Sequence, residues 1–365
     1  MKETSPTGTD CPLCDASSSA VVVATPPHLA PDRGERFRWV RCRRCRLVRL
    51  SNPPDPEEMV RYYGPGYLPH RGPEAWGRWA PLVRRSERGR DRRRVRWARR
   101  AVTRVAEPGL CELCRPRGMS PGDPLARERL EGTSTFHSDN EPEAGDGPGT
   151  APAPLRALDV GCGRPTFLRA LRAATGWKAT GLDTSDAGWA GDDPGVWSGL
   201  DLRVGEVEET NLPRDSFDLI TLWHVLEHVS DPLPFLERLG ELAHPGSALV
   251  VEVPDHASWP RRLQKESWIG YDTPRHAVAY EPQTLSKTLE KAGWRVQQLR
   301  RWGTLDPWVL WWLGRQVARG RALDGPLEKD FLPFVVGKIL TLPAVALHQW
   351  FPLGAMTAVA SRPGG

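Results

Sequence analysis

The chain has 365 residues, enough for one good-sized core and a smaller module. A hydrophobic share of 39% beside 35 glycines and 36 prolines points to a globular protein with substantial loops, and the lack of any run of 18 apolar residues excludes a confident transmembrane helix. The net charge of +5 rests on 43 arginines against 7 lysines spread along the whole chain, so it argues for solubility rather than for a nucleic-acid partner.

Residues 1–60 open on a polar stretch, Met1–Asp10, with no apolar export signal. Two C-x-x-C knuckles follow, Cys11-Pro12-Leu13-Cys14 and Cys42-Arg43-Arg44-Cys45, separated by 27 residues. Paired cysteines without an export signal predict metal ligation in a reducing cytoplasm rather than disulfides. Each pair grips a tetrahedral metal from a turn, and two pairs complete a structural Zn2+ site of four thiolates. With β-prone runs at Ala20–Ala24 and Phe37–Val40, the expectation is a zinc-ribbon-like module.

Residues 61–105 begin with an aromatic turn, Tyr62-Tyr63-Gly64-Pro65-Gly66-Tyr67, and pass into an Arg-dense helix over Leu82–Val105. Ten arginines between Arg84 and Arg100, with Trp97 among them, admit an RNA-binding reading, because guanidinium groups neutralise phosphates and an indole stacks on a base. Val95, Ala98 and Val102 at helical spacing favour instead a helix packed on the catalytic domain with a solvated basic face. Residues 106–153, rich in Pro, Gly, Glu, Ser and Asp, predict a disordered insertion or linker. The pair Cys111 and Cys114 inside it has no second pair nearby and is read as non-ligating.

Between residues 154 and 302 strand-like and helix-like runs alternate. Strands are expected at Ala157–Val160, Lys178–Leu182, Leu202–Val204, Phe217–Leu222, Ala248–Val253 and Trp294–Leu299, with helices such as Thr166–Ala174 and Pro234–Ala243 between them. This order predicts an α/β fold with a parallel sheet covered on both faces. Residues 303–355 carry Trp-, Leu- and Val-rich runs broken by Pro333, Lys338 and Pro343, which predict a hydrophobic helical insertion. With Arg315, Arg319 and Arg321 nearby, residues 303–353 are a candidate for peripheral contact at the inner face of a membrane; a lid over the cleft or a dimer surface is the alternative. Residues 356–365 hold a last strand, Met356–Ser361, and the C-terminus.

The clearest chemical signal is Leu158-Asp159-Val160-Gly161-Cys162-Gly163, which ends the first of these strands and opens a helix. Glycines there let the chain turn tightly and let a ligand approach the backbone. Asp183 stands 20 residues beyond Gly163, at the end of the second strand, where a carboxylate can accept hydrogen bonds from both ribose hydroxyls of a nucleoside.

On Leu158–Leu168, Asp183, the run Phe217–Val229 and the Pro245-Gly246 pair ahead of the fifth strand, the chain resembles the class I S-adenosylmethionine-dependent methyltransferases. The resemblance implies a Rossmann-like seven-stranded sheet whose last strand runs antiparallel. It also implies that the loop holding Asp159, Gly161, Cys162 and Gly163 cradles the methionine part of the cofactor, that Asp183 holds the ribose, and that Glu206 and Val207 flank the adenine. Pro165 stands where the family usually has a third glycine, a position that tolerates proline in the first turn of a helix. Leu47–Pro53 with Tyr62, Tyr63 and Tyr67 resemble an N-terminal module attached to many bacterial methyltransferases of sugars and other small metabolites, which implies tyrosines near the substrate cleft.

Methyl transfer from a sulfonium needs an aligned nucleophile, removal of its proton and exclusion of water. His224, Glu227 and His228 stand at helical spacings of three and four, which predicts one shared face carrying a general base. In quinone-pathway O-methyltransferases a similar acidic-histidine cluster is associated with a divalent cation, although this chain has His224 where those have an acid. The alternative is that Glu227 and His228 only pack the local turn. Trp223 is expected to line the sulfonium pocket, or else the core. The segment Asp272-Thr273-Pro274-Arg275-His276 is similar to an Asp-x-Pro-Arg-His segment common in this branch, and it makes His276 the first candidate for general base, ahead of His224 and His228. A loop merely anchored by an Arg–Asp pair is the alternative. The expected function is S-adenosylmethionine-dependent methylation of a small metabolite, sugar or lipid-linked saccharide. A zinc-finger-containing RNA methyltransferase and a non-catalytic binding protein of the same fold are the competing readings.

Overall fold

A computed structural model describes residues 10–28, 35–63, 72–106, 153–321, 327–346 and 350–364. Nearly all of the linker predicted at 106–153, with Cys111 and Cys114, lies outside the described residues, as does Tyr67. Three short strands come first: β1 (Ser19–Thr25), β2 (Phe37–Cys42) and β3 (Val48–Leu50). The second half contributes β4 (Arg156–Val160), β5 (Lys178–Asp183), β6 (Leu200–Val204), β7 (Phe217–Trp223), β8 (Ala243–Pro254), β9 (Val278–Ala279), β10 (Arg295–Arg300) and β11 (Ala355–Ser361).

Seven of these strands form one sheet in the order β10-β11-β8-β7-β4-β5-β6. β4 to β8 run parallel, and β11 is antiparallel to both neighbours, as the Rossmann-like expectation required. Four helices pack against it: α1 (Ala80–Ala106), α2 (Thr166–Thr175), α3 (Pro232–Leu242) and α4 (Pro282–Lys291). Because both faces are covered, the central strands are apolar on both sides. Along β8, Leu249, Val251 and Val253 enter one core with α3 and α4, while Ala248 and Val250 enter the other with α1 and α2. Each fully buried Val or Leu of this kind contributes about 1.5–3 kcal/mol. β8 starts earlier than expected, at Ala243 directly after α3, because Ala243 already pairs with Phe217 across an irregularity in register.

The Arg-rich helix α1 obeys its apolar spacing. Val95, Ala98, Ala101, Val102 and Val105 are buried in the same core as α2. Trp97 is buried too, 5.2 Å from Trp302, so it is not displayed for stacking on a base. Arg93 and Arg94 turn inward to the carbonyl and hydroxyl of Thr304.

A second, antiparallel sheet has the order β1-β2-β3-β9. Its last strand comes from the second half of the chain, where Val48 pairs with Ala279. Cys11, Leu13, Cys42, Cys45 and Leu47 share one apolar cluster with Tyr280, Leu285 and Leu289. The N-terminal module and the seven-stranded sheet are therefore joined by backbone pairing and a continuous core. The hydrophobic insertion folds as two helices, α5 (Pro307–Ala318) and α6 (Phe331–Ala346), around Trp308, Trp312 and Leu327. Among the described residues no helix is long and apolar enough to cross a membrane.

Candidate active site

The glycine loop and Asp183 meet at the carboxyl edge of the sheet, where β4 and β5 lie side by side. Gly161 has φ +68°, and a Cβ there would stand 2.5 Å from Val225 Cγ2, so only glycine fits. Gly163 has φ +50° and faces open space. Its N–H donates to Asp183 Oδ2 at 2.8 Å, while Ser185 N–H donates to Asp183 Oδ1 at 3.2 Å. Asp183 thus points at the bend and keeps further lone pairs for a ligand. Pro165 sits at the N-cap of α2 and leaves the loop intact. Cys162 is buried with its amide on Leu182 O, Glu206 is exposed at the head of a turn, and Val207 is buried beneath it.

Two residues expected at the cofactor lie inside the core. Asp159 is buried and accepts from Thr221 Oγ1 at 2.6 Å, so it braces β4 against β7. Trp223 packs edge-on against Phe167 and carries the Arg94 guanidinium 5.0 Å above its ring, which is the core alternative. Burial raises the pKa of Asp159 to about 7 from 3.8. A carboxyl raised in this way supports the fold fully at low pH and loses that support as pH climbs toward 7, on the order of a few kcal/mol. Asp159→Asn is therefore expected to be more favourable relative to wild type at pH 8 than at pH 5, as measured by urea unfolding at the two values.

After β7 the chain turns sharply. His224 has φ +62° and stands outside the short 3-10 turn Leu226–His228, so the shared helical face expected for His224, Glu227 and His228 does not form. His224 instead bridges two buried carboxylates, with Nδ1 3.1 Å from Glu227 Oε1 and Nε2 3.1 Å from Glu252 Oε1. Burial alone would lower its pKa, but these two bonds outweigh it and raise the value to about 9. Burial would raise the pKa of Glu252, but the bond and charge of His224, the Arg94 charge and the Thr304 N–H together draw it down to about 2, and it also accepts from Thr304 Oγ1. His224 is a cation with both nitrogens donating, which leaves no lone pair for the general-base role expected of it.

His228 and His276 lie elsewhere. Their rings meet edge to face with centroids 4.5 Å apart, and Glu227 completes a cluster with them. His228 Nδ1 is 3.1 Å from Arg275 O and 3.1 Å from the Tyr63 hydroxyl; burial lowers its pKa to about 4. His276 Nδ1 is 2.9 Å from Gly270 O. A carbonyl oxygen only accepts, so both Nδ1 atoms carry a proton, and in the neutral imidazole the lone pair then stands on Nε2. His228 and His276 thus retain what a base requires. Arg275 also fulfils the anchoring alternative. It is buried, pairs with both oxygens of Asp272 and donates to Tyr62 O at 2.8 Å. Thr273 is gripped by the N-terminal module through Thr25 Oγ1 at 2.9 Å and Trp39 Nε1 at 3.1 Å. The loop is at once anchored and turned toward the site.

Sequence reasoning missed Glu252 and Arg94. The signal for Glu252 was an acid inside the apolar run Leu249–Val253. For Arg94 there was none, because it is one of ten arginines in a row of similar context.

The Methyltransferase domain family model matches residues 134–299. Residues 134–299 are thus similar to a methyltransferase domain, and they span the parallel part of the seven-stranded sheet. A ubiquinone biosynthesis O-methyltransferase of Azorhizobium caulinodans is 33% identical to the domain over 102 residues, 27% of this chain and 39% of that protein. The enzyme of the same name from Xanthomonas axonopodis is 28% identical over 199 residues, 51% of this chain and 77% of that one. A solved S-adenosylmethionine-dependent methyltransferase from Mesorhizobium loti superposes with a TM-score of 0.38 at 18% identity, over 57% of this chain and 92% of that structure. The chain thus spans about two fifths of the length of the first relative.

Four cysteines cluster in the N-terminal module, Cys11, Cys14, Cys42 and Cys45. Cys11 and Cys45 sulfurs are 3.4 Å apart, and Cys14 and Cys42 sulfurs 3.6 Å. In both knuckles the first cysteine donates to the carbonyl five residues on, Cys11 to Ala16 and Cys42 to Leu47. In both, a left-handed residue follows the second cysteine, Asp15 at φ 58° and Arg46 at φ 73°. The two turns are the same device used twice.

Proposed function

We propose that the chain transfers a methyl group from S-adenosylmethionine to a small-molecule acceptor: a metabolite, sugar or lipid-linked saccharide. The observation that carries this reading is the open glycine bend whose N–H is held by Asp183 at the sheet's carboxyl edge. When bound there, S-adenosylmethionine supplies a methyl already activated by its sulfonium. Gly161 and Gly163 admit the ligand to the backbone, Asp183 takes the ribose hydroxyls, and Glu206 with Val207 flank the base. The acceptor is assigned to the Glu227–His228–His276 cluster, where unprotonated donor atoms receive it and withdraw its proton. The experiment is incubation of cell extract with protein and labelled methyl donor, followed by identification of the labelled product. Label only in small molecules supports the reading, and label in RNA replaces it with the nucleic-acid alternative.

The cysteine cluster is proposed to hold one structural Zn2+, since four sulfurs at these spacings fit a tetrahedral ion with bonds of about 2.3 Å. Residues 303–353 are proposed to touch a lipid surface. Leu332, Val336, Ile339 and Leu340 are 56–76% exposed along one face of α6. Trp350, Phe351, Trp259 and Leu263 are exposed as well, and Trp259 N–H donates to Pro352 O, which places these groups together. Apart from the indole N–H groups of Trp259 and Trp350, which suit the headgroup level, these side chains form no hydrogen bonds, and a bilayer requires none, whereas protein interfaces carry about one bond per 100–200 Å². The protein is expected to float with anionic vesicles, and Ile339→Glu with Leu340→Glu to remain at the bottom. Wild type that stays at the bottom contradicts the contact.

A further inference from the structure

We propose that Glu227, His228 and His276 form a second metal site, built for a divalent first-row transition metal and distinct from the four cysteines. One donor atom from each residue lies within 4.8 Å of the others. Ligands at about 2.0–2.2 Å from a common ion stand at most about 4.4 Å apart, so small side-chain rotations close the site. Each donor is prepared for that use. Glu227 is buried, with Oε1 spent on His224 and Oε2 lacking any partner among the described residues. An orphan carboxylate oxygen in the interior is costly unless something cationic meets it. The two histidines are held as metal-ligating histidines usually are, by Nδ1–H on a backbone carbonyl, Arg275 O for one and Gly270 O for the other. That leaves Nε2 of each ring without a hydrogen bond; the nearest carboxylate oxygen to His276 Nε2, Asp272 Oδ2, stands 4.0 Å away and is held by Arg275.

The donor set differs from the one that the quinone-pathway resemblance implies. His224 is a cation pinned between two carboxylates and cannot ligate; His276, brought in by the anchored loop, takes the third position. Two imidazoles and one carboxylate favour zinc, iron or cobalt over magnesium, which prefers oxygen donors. Three protein ligands leave coordination positions open, and His228 is only half-buried, so the open side reaches solvent. Resting on the methyltransferase reading, this assigns the acceptor to a class with oxygen donors able to complete the ion's shell; with an ion bound, the two imidazoles would be ligands rather than bases, and coordination would acidify the acceptor's hydroxyl in their place.

The test counts metal in the full chain after loading with Zn2+ and desalting, by elemental analysis. Wild type is expected to hold one ion more than the His228→Gln, His276→Gln double variant and one more than Glu227→Gln. Loading with Co2+ should show the extra ion as a spectrum without thiolate charge transfer, while the thiolate band persists in both variants and reports that they fold. Equal metal content in wild type and both variants overturns the proposal. S-adenosylmethionine titrated into the same samples separates the two claims: binding with no extra ion sinks only the metal site. An extra ion with no binding sinks only the methyltransferase reading.

Discussion

Replacing Asp183 by Ala is expected to weaken S-adenosylmethionine binding by about 100-fold or more, read by calorimetric titration. The carboxylate stands at the end of β5 with one oxygen on Gly163 N–H and the other on Ser185 N–H. Hydrogen bonds to a charged group are worth about 1.5–3 kcal/mol each, and a ribose offers two hydroxyls to this one. Loss of both costs at least two factors of ten in affinity. The substitution also frees Gly163, so the loop that should receive the ligand loses its brace. Asp183→Asn keeps one acceptor oxygen and is expected to fall between, near 10-fold. Unchanged affinity in Asp183→Ala would remove the residue from the cofactor site.

His276→Ala is expected to lower turnover by about 100-fold to 10,000-fold while leaving cofactor affinity within about two-fold. The ring sits in the cluster with Glu227 and His228, and among the described residues it makes no hydrogen bond to the glycine loop or to Asp183. His276→Gln separates chemistry from scaffolding. Its amide can still donate to Gly270 O and keep the Asp272–Arg275 loop in place, yet it lacks the imidazole lone pair. If the loop is only a scaffold, Gln restores the rate. If the ring receives the acceptor, kcat stays low in both variants and KM for the cofactor is unmoved.

The parallel sheet, its antiparallel last strand and the glycine–carboxylate pair were legible because they rest on local patterns. Apolar runs such as Leu249–Val253 mark strands buried on both faces, and Gly161 and Asp183 mark turns with fixed chemistry. What escaped depends on distant parts of the chain. Val278 and Ala279 carry no strand signal of their own, and they become β9 only because Val48 and Arg49 come to pair with them. His224 looked like a base at helical spacing from Glu227. Its role as a cation follows from a left-handed backbone and from Glu252 on a neighbouring strand, neither of which spacing encodes. Asp159 looked like part of the cofactor loop because of its neighbours in sequence, but alternation along β4 turns it toward Thr221. The same rule that identified the strand decided against the residue.

The proposed methyl transfer depends on a nucleoside pocket between the bend at Gly161–Gly163 and the carboxylate of Asp183. Isothermal titration of the full chain with S-adenosylmethionine probes that pocket without knowledge of the acceptor. Saturable one-to-one binding, lost in Asp183→Ala, is the expected outcome. A folded wild-type chain that takes up no S-adenosylmethionine at any concentration tried would contradict it.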